Sequence, residues 1–263
     1  MRFAVIYSVL DEAGKTIVKQ FQQLAFSPQI PIIELKKETI TADIFKKDFP
    51  QLRNSDFLIF ASKHKSEKGL PSLSIHAPGN WRSASYGGKE GKVCLSSACV
   101  FKYLFQQLDK EMKKDAIVTK KYALTMEATH HGPSTDVPCL FVELGSTEKD
   151  WSDERAGLVL AKTILSLEHF QSDPSWIPTI AIGGPHYAPN FTQIQLKSNY
   201  AISHIIPSYT LPLTEKILHE AEEKTAEQVK EIFLDWKGCG NAEERNKNTE
   251  IIKKLGFKYT KTG

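Results

Sequence analysis

The sequence predicts an α/β fold: a single mixed-sheet domain with helices on both faces, closed by C-terminal helices. Seven short β-rich runs bounded by Gly, Pro, Asp or Ser carry the first part of that prediction. Amphipathic stretches between several of them carry the second, because alternating strand and helix buries a sheet between helices. The third observation is length: 263 residues without a repeat, a low-complexity tract or an obvious linker hold a sizeable core as one unit over 1–263.

The elements follow in chain order. RFAVIYSV opens the chain as a strand, and residues 11–26 form a helix with Ile17, Phe21, Leu24 and Ala25 on one face. IPIIEL and DFLIFAS are the next strands. Residues 96–113 place Val100, Leu104, Leu108 and Met112 together, with Ser96 or Ser97 as N-cap. YALTMEA and PCLFVELG are strands on either side of a Gly-Pro stop, and residues 152–169 repeat the helical spacing with Leu158, Ile164, Leu165 and Leu167. IPTIAIGG and YAISHIIP complete the strands. From 213 to 236 and from 241 to 255 the chain reads as helical and acidic on its polar side, so 213–263 is expected as a helical C-terminal part broken at the turn Lys237-Gly238-Cys239-Gly240.

Composition bounds the class. Apolar residues make up 41% and charged residues 25%, ordinary for a globular protein and unlike a disordered one. No window approaches the roughly 20 apolar residues of a membrane span. MRFAVIYSVLDEAG turns acidic and helical before any secretory cleavage pattern, so a cytoplasmic protein acting as a monomer is expected. The four cysteines, Cys94, Cys99, Cys139 and Cys239, form no CxxC pair and read as reduced, buried thiols. Charge is uneven: between Ala61 and Lys121 twelve Lys or Arg stand against five Asp or Glu, although the whole chain carries only +3. Clustered cations suit a polyanion such as RNA; they equally describe solvated lysines on helix and loop surfaces.

The chemistry concentrates in YALTMEATHHGPSTDVPCLFVELGST. If 122–131 is extended, Thr125, Glu127, Thr129 and His131 share one face, and a helical reading would instead set Glu127 and His130 at i, i+3. The β content and the Gly-Pro stop favour the strand. A second strand brings in Glu143, and if the two strands are neighbours the carboxylates of Glu127 and Glu143 meet. Two such groups ionise together cheaply only with a cation between them. Neutral imidazole with carboxylate suits zinc, one or two ions with these ligands. His130, His131 and Glu127, joined by His76 or His186, are therefore the candidate metal ligands, with Glu143, Glu127 and His131 as candidate catalytic groups.

Other loops add to this group. SLSIHAPGNW carries His76 and Asn80 in a Pro-Gly turn, and AIGGPHYAPNF presents His186 and Tyr187 after Gly183 and Gly184, whose lack of a side chain lets backbone approach a ligand. His204 interrupts an apolar strand. Lys63, His64 and Lys65 follow DFLIFAS, at the strand end where open α/β sheets usually bind ligands. Neither GxxxxGK[ST] nor GxGxxG is present.

RFAVIYSVLDEAG, FLIFASKHKSEKGLPSLSIHAPGNW, EATHHGP with FVELGSTEKDW, GGPHYAP and HIIPSY together resemble the D-aminoacyl-tRNA deacylase family of archaeal and plant type, over almost the whole chain. The resemblance implies a phosphorylase- or peptidyl-tRNA-hydrolase-like fold and a zinc-assisted ester hydrolase that removes D-amino acids from mischarged tRNA. Its partner would be the acceptor end of D-aminoacyl-tRNA, with neither DNA nor membrane. On this reading Glu143 is the general base or the group that orients a ligand, and Lys63, Lys65 and the helix around Lys110 to Lys114 take phosphates. Asn80, Gly183, Gly184 and His204 would contact substrate, the two glycines crowding its α-carbon to select chirality. A metal-dependent peptidase or amidohydrolase uses the same ligand types but has no need of the basic excess, and a non-catalytic tRNA-binding module has no need of the acids.

Overall fold

The computed structural model describes residues 1–24 and 30–263. In chain order the first half contains β1 (Phe3–Ser8), α1 (Glu12–Leu24), β2 (Ile32–Leu35), β3 (Phe57–Lys65), β4 (Ser72–His76), β5 (Gly79–Asn80), β6 (Lys92–Val93), α2 (Ala98–Lys113), α3 (Ala116–Lys121) and β7 (Ala123–Met126). The second half contains β8 (Cys139–Ser146), α4 (Glu148–Trp151), α5 (Glu154–Leu165), β9 (Ile177–Ile182), α6 (Pro189–Lys197), β10 (Tyr200–Ile206), α7 (Glu215–Glu223), β11 (Glu231–Asp235), α8 (Ala242–Lys254) and β12 (Lys258–Thr262). The helix expected over 11–26 is present as α1; its last two residues, 25 and 26, lie outside the described residues. Ser97 caps α2 as expected, its side chain accepting from the Val100 N–H.

Two main sheets form where one was expected. The first is mixed, in the order β2-β1-β3-β8-β4-β7, with β4 antiparallel to β8 and the other pairs parallel. The second is all parallel, in the order β10-β9-β11-β12. Its strands β9 and β10 were expected; β11 and β12 correct the helical reading of 213–263, in which α7 and α8 are the helices present. In EIFLD, Ile232 and Leu234 point into one apolar cluster and Phe233 into another. A strand buried on both faces shows an unbroken apolar run, and so short a run does not distinguish strand from helix. KYTKT, at the sheet edge, is polar enough to hide a strand altogether.

Alternation divides the first sheet into two unlike faces. Phe3, Val5, Phe57, Ile59, Ala61, Leu140, Val142 and Leu144 face α1, α2 and α5 in the main core. Ala4, Ile6, Leu58, Phe60, Cys139 and Phe141 face the other way, against Ala42, Ile44 and Leu52 of the irregular segment 36–56. Helices on both faces is thus corrected for this sheet: among the described residues its second face is free of α-helix and is covered by loops, turns and the short 3-10 helices Thr39–Thr41 and Pro50–Leu52. The second sheet does have helices on both sides, with Phe191 of α6 on one and Leu218 of α7 with Ile252 of α8 on the other. Helix α2 touches strands of both sheets and joins them through the main core.

A candidate metal centre on the helix-free sheet face

The second face of the first sheet is apolar at one end and polar at the other. Phe60 stacks on Phe141 at 4.7 Å, and His76 stacks on the far side of Phe141 at 5.2 Å. Along β3, β4 and β8 the same side continues as Ser62, His64, Ser74, His76 and Glu143, all buried. Of these, Ser62, His64 and Glu143 lie at the floor of a cleft of about 880 Å³, walled by Glu38 to Ile40, by residues of the segment from Gly79 to Tyr86 and by Tyr209 and Thr210. The chemistry therefore lies on a sheet face that no α-helix covers among the described residues, and not only at the strand ends.

Glu127 and Glu143 meet there, although β4 lies between β7 and β8 and the two strands are not neighbours as expected. His64 Nδ1 is 3.2 Å from Glu127 Oε1 and 3.6 Å from Glu143 Oε2. His186 Nε2 is 3.0 Å from Glu127 Oε2, and His130 Nε2 is 3.8 Å from the same oxygen. Around Glu143 Oε1 stand His76 Nε2 at 3.6 Å and His131 Nε2 at 4.0 Å. The expected shared face of Glu127 and His131 is replaced by a turn: the strand stops at Met126, and His131 adopts φ 48°. That left-handed turn sends His131 to Glu143 and leaves Glu127 to His64, His130 and His186.

The imidazoles are oriented alike. Nδ1 of His76, His130 and His131 lies 3.2, 2.8 and 2.6 Å from the carbonyl oxygens of Ala77, Ala128 and Gly132. A carbonyl only accepts, so each Nδ1 carries a proton and each Nε2 is the nitrogen turned inward, a bare lone pair whenever the ring is neutral. Burial, then the neighbouring imidazoles, hold His130 well below the usual histidine range; burial and His76 bring His131 down to about 4. Burial also opposes charge on His64 and His76, but the carboxylates outweigh it and raise both. For Glu127, burial is outweighed by the hydrogen bond with His186 and the charge of His64, which bring it down to about 2. Glu143 is lowered by the same balance, through His64 and His76.

A metal ion fits this donor set. His76, His130 and His131 offer ligand atoms within 4.8 Å of one another, as do Glu127 with His130 and His186, and His64 with both acids. His76 Nε2 and Glu127 Oε1 are buried without a hydrogen-bond partner, and buried polar atoms of this kind are suited to ligate a cation. All five expected ligands, His76, Glu127, His130, His131 and His186, are in the cluster. Asn80 lines the cleft, with its Nδ2 donating to Gly87 O at 2.8 Å. Lys63 and Lys65 line it too, Lys63 paired with Glu38 at 3.0 Å.

Other expectations are corrected. Gly183 and Gly184 pack on a protein turn: a Cβ on Gly183 would fall 2.9 Å from Asp235 O, and one on Gly184 2.9 Å from Asp235 Oδ2. They answer to backbone packing and do not line the cleft. His204 is sealed in the core, its Nε2 2.8 Å from Lys224 O and its Nδ1 3.2 Å from Thr129 Oγ1. The basic excess disperses as well. Lys113 and Lys114 pair with Asp109 and Glu111 on α2, and Lys102 is fully buried, donating to the carbonyls of Gln195, Ser198 and Tyr200. His64, read as part of a basic loop, is instead a buried member of the cluster, because β3 runs on to Lys65. Its alternation with Phe60 and Ser62 was the available signal. Tyr209, whose hydroxyl lies 3.2 Å from His186 Nδ1, closes the HIIPSY run, but no local pattern tied it to the histidines.

Fold and site define an α/β enzyme whose histidine and carboxylate side chains form a buried centre able to hold a metal ion, open to one broad cleft. A family model described as D-aminoacyl-tRNA deacylase matches residues 52–260. Proteins named D-aminoacyl-tRNA deacylase from Pyrococcus furiosus and Methanocaldococcus jannaschii are 34% and 30% identical to this chain. The first match covers 88% of this chain and 84% of that protein, the second 98% and 99%. The chain belongs to the D-aminoacyl-tRNA deacylase family. A crystal structure of a conserved protein of unknown function matches with a TM-score of 0.88 at 28% identity, covering 99% of this chain and 95% of that one.

Proposed function

We propose that this protein hydrolyses the ester between a D-amino acid and the terminal ribose of tRNA, with zinc as cofactor, as a chiral proofreading enzyme. The observation that carries the reading is Glu143, a buried carboxylate held ionised at the cleft floor beside the inward-turned Nε2 atoms of His76 and His131. Family membership supplies the substrate class.

His76, His130 and His131 would hold a zinc ion, and the group of His64, Glu127 and Glu143 is suited to a second. When bound, zinc supplies Lewis acidity toward an ester carbonyl and acidifies water. Glu143 accepts a proton from the water that adds to the carbonyl. The carbon–oxygen bond to the ribose then breaks, and the ribose oxygen takes the proton back, giving free D-amino acid and tRNA with an intact hydroxyl. Glu127 fixes His64 and His186, so that both rings keep one orientation while the charge on the ester moves. Lys65, exposed at the cleft, takes a phosphate without reading sequence. A phosphorylase- or peptidyl-tRNA-hydrolase-like ancestry is part of the same reading, supported by the parallel majority of the mixed sheet.

The test is hydrolysis of matched D-tyrosyl- and L-tyrosyl-tRNA before chelation, after it, and after zinc is restored. D-selective release that is lost and recovered supports the activity and the cofactor together. No release from either substrate by folded, zinc-loaded protein removes the proposal.

A further inference from the structure

Among the described residues, six large apolar or aromatic side chains are exposed, and two of them, Tyr86 (70%) and Tyr209 (61%), are tyrosines that line the cleft. An exposed aromatic face at the mouth of a polar site is open to a flat partner. The two differ in freedom. Tyr209 is committed inward through the contact between its hydroxyl and His186, and its ring lies 6.5 Å from the His186 ring at 26°. The Tyr86 side chain has no hydrogen bond and no ring partner among the described residues.

The backbone under Tyr86, by contrast, is fixed to the centre. Its carbonyl accepts from Gly132 N at 2.9 Å, one residue beyond His131, and the next carbonyl, Gly87 O, accepts from Asn80. Gly87, at φ 76°, is wedged so tightly that a Cβ would fall 1.8 Å from Ile40 O. A free ring on an immobile backbone is the arrangement of a stacking platform: it loses little freedom when a flat partner lands on it. Arg82 and Lys89 flank it in the chain and Lys65 also lines the cleft, so a partner that brings phosphate meets positive charge.

We propose that Tyr86 is the platform on which the unpaired 3′-terminal nucleobase of the tRNA stacks, fixing where the ribose ester falls over Glu143. The inference rests on the aminoacyl-tRNA reading above. The terminal base is carried by the ribose that bears the ester, it has no pairing partner, and either of its faces offers a π surface. Tyr86 acts through the base and not on the ester, which makes it a positioning residue.

The probe is an RNA minihelix with an unpaired 3′ tail carrying 2-aminopurine as its terminal base, read by fluorescence; the same minihelix with adenine, charged with D-tyrosine, is read by hydrolysis. Wild type and Tyr86→Phe are expected to quench the 2-aminopurine. Tyr86→Ala is expected to lose the quench and raise KM about tenfold, within the range of a stacked base, with kcat changed far less. A terminal abasic ribose should cost wild type the same factor and cost Tyr86→Ala nothing more. Tyr86→Ala that quenches and hydrolyses as wild type does, or penalties that multiply, overturn the platform and leave the hydrolase standing. Tyr86-dependent quenching by a wild type that releases no D-tyrosine does the reverse.

Discussion

Glu127 and Glu143 share one histidine across a strand that separates them: His64 Nδ1 stands 3.2 Å from one carboxylate and 3.6 Å from the other, with β4 between the strands that deliver them. The pair is thus built from β3, β8 and the segment after β7. His76, from the intervening strand, closes the gap.

Glu143→Gln keeps the size of the side chain and removes its charge and basicity. We expect kcat for D-tyrosyl-tRNA to fall by about 10²–10⁴-fold, the usual worth of a general base, with the far-UV circular dichroism of the wild type retained. Activity within a few fold of wild type would assign the proton transfer to another group.

Metal uptake should depend on pH. His64 and His76 hold protons above the ordinary histidine range, and a proton must leave an imidazole before its lone pair can ligate. Zinc affinity is therefore expected to weaken as pH falls, and zinc added to unbuffered protein should release acid. His130→Ala and His131→Ala should lower zinc content by elemental analysis while the protein stays folded. Unfolding on chelation would point to a structural ion instead.

His204 gives the stability profile a sign. Burial holds it down to about 4, against about 6.5 in an unfolded chain, so between those values the unfolded state binds more protons. Its contribution is fully present above pH 6.5 and is lost as pH falls toward 4, a loss of about 3 kcal/mol at that shift. Urea midpoints measured along this range should fall, and His204→Gln should flatten the fall.

Lys102 tests the charge reading. Its ammonium satisfies three carbonyls at the end of α6 and the start of β10. Lys102→Met should destabilise the protein by about 1–3 kcal/mol, the cost of stranding buried acceptors, and leave tRNA affinity unchanged. A loss of affinity at unchanged stability would return Lys102 to the RNA-binding surface.

Much of this was legible in the sequence, for identifiable reasons. β1, β3, α1 and α2 carry strong periodicity or caps, and His76 at its strand end and the loops bearing His130, His131 and His186 stand where turn residues and imidazoles coincide. What hid were features with no local pattern. EIFLD matches a buried helix turn as well as a strand. β4 intervenes between β7 and β8, parallel to one and antiparallel to the other, which only a pairing partner can reveal. His64 looked like one cation among lysines because its burial depends on Glu127 and Glu143, more than 60 positions away. Gly183 and Gly184 advertised close approach but not to what, and the answer was the turn at Asp235.

The helix-free face divides the molecule into parts that tolerate change differently. His64, His76 and Glu143 are set into strands, where a shift of one residue would turn each side chain into the opposite core. The walls over them, 36–56 and 82–92, are mostly turns and loops, and away from the buried Ala42, Ile44 and Leu52 and the fixed Tyr86–Gly87 backbone their exposed positions can change at small cost to the sheet beneath. Lineages can therefore remodel what the cleft admits while inheriting the reaction intact, and a designer seeking a new acyl group should rebuild the walls and leave the floor alone.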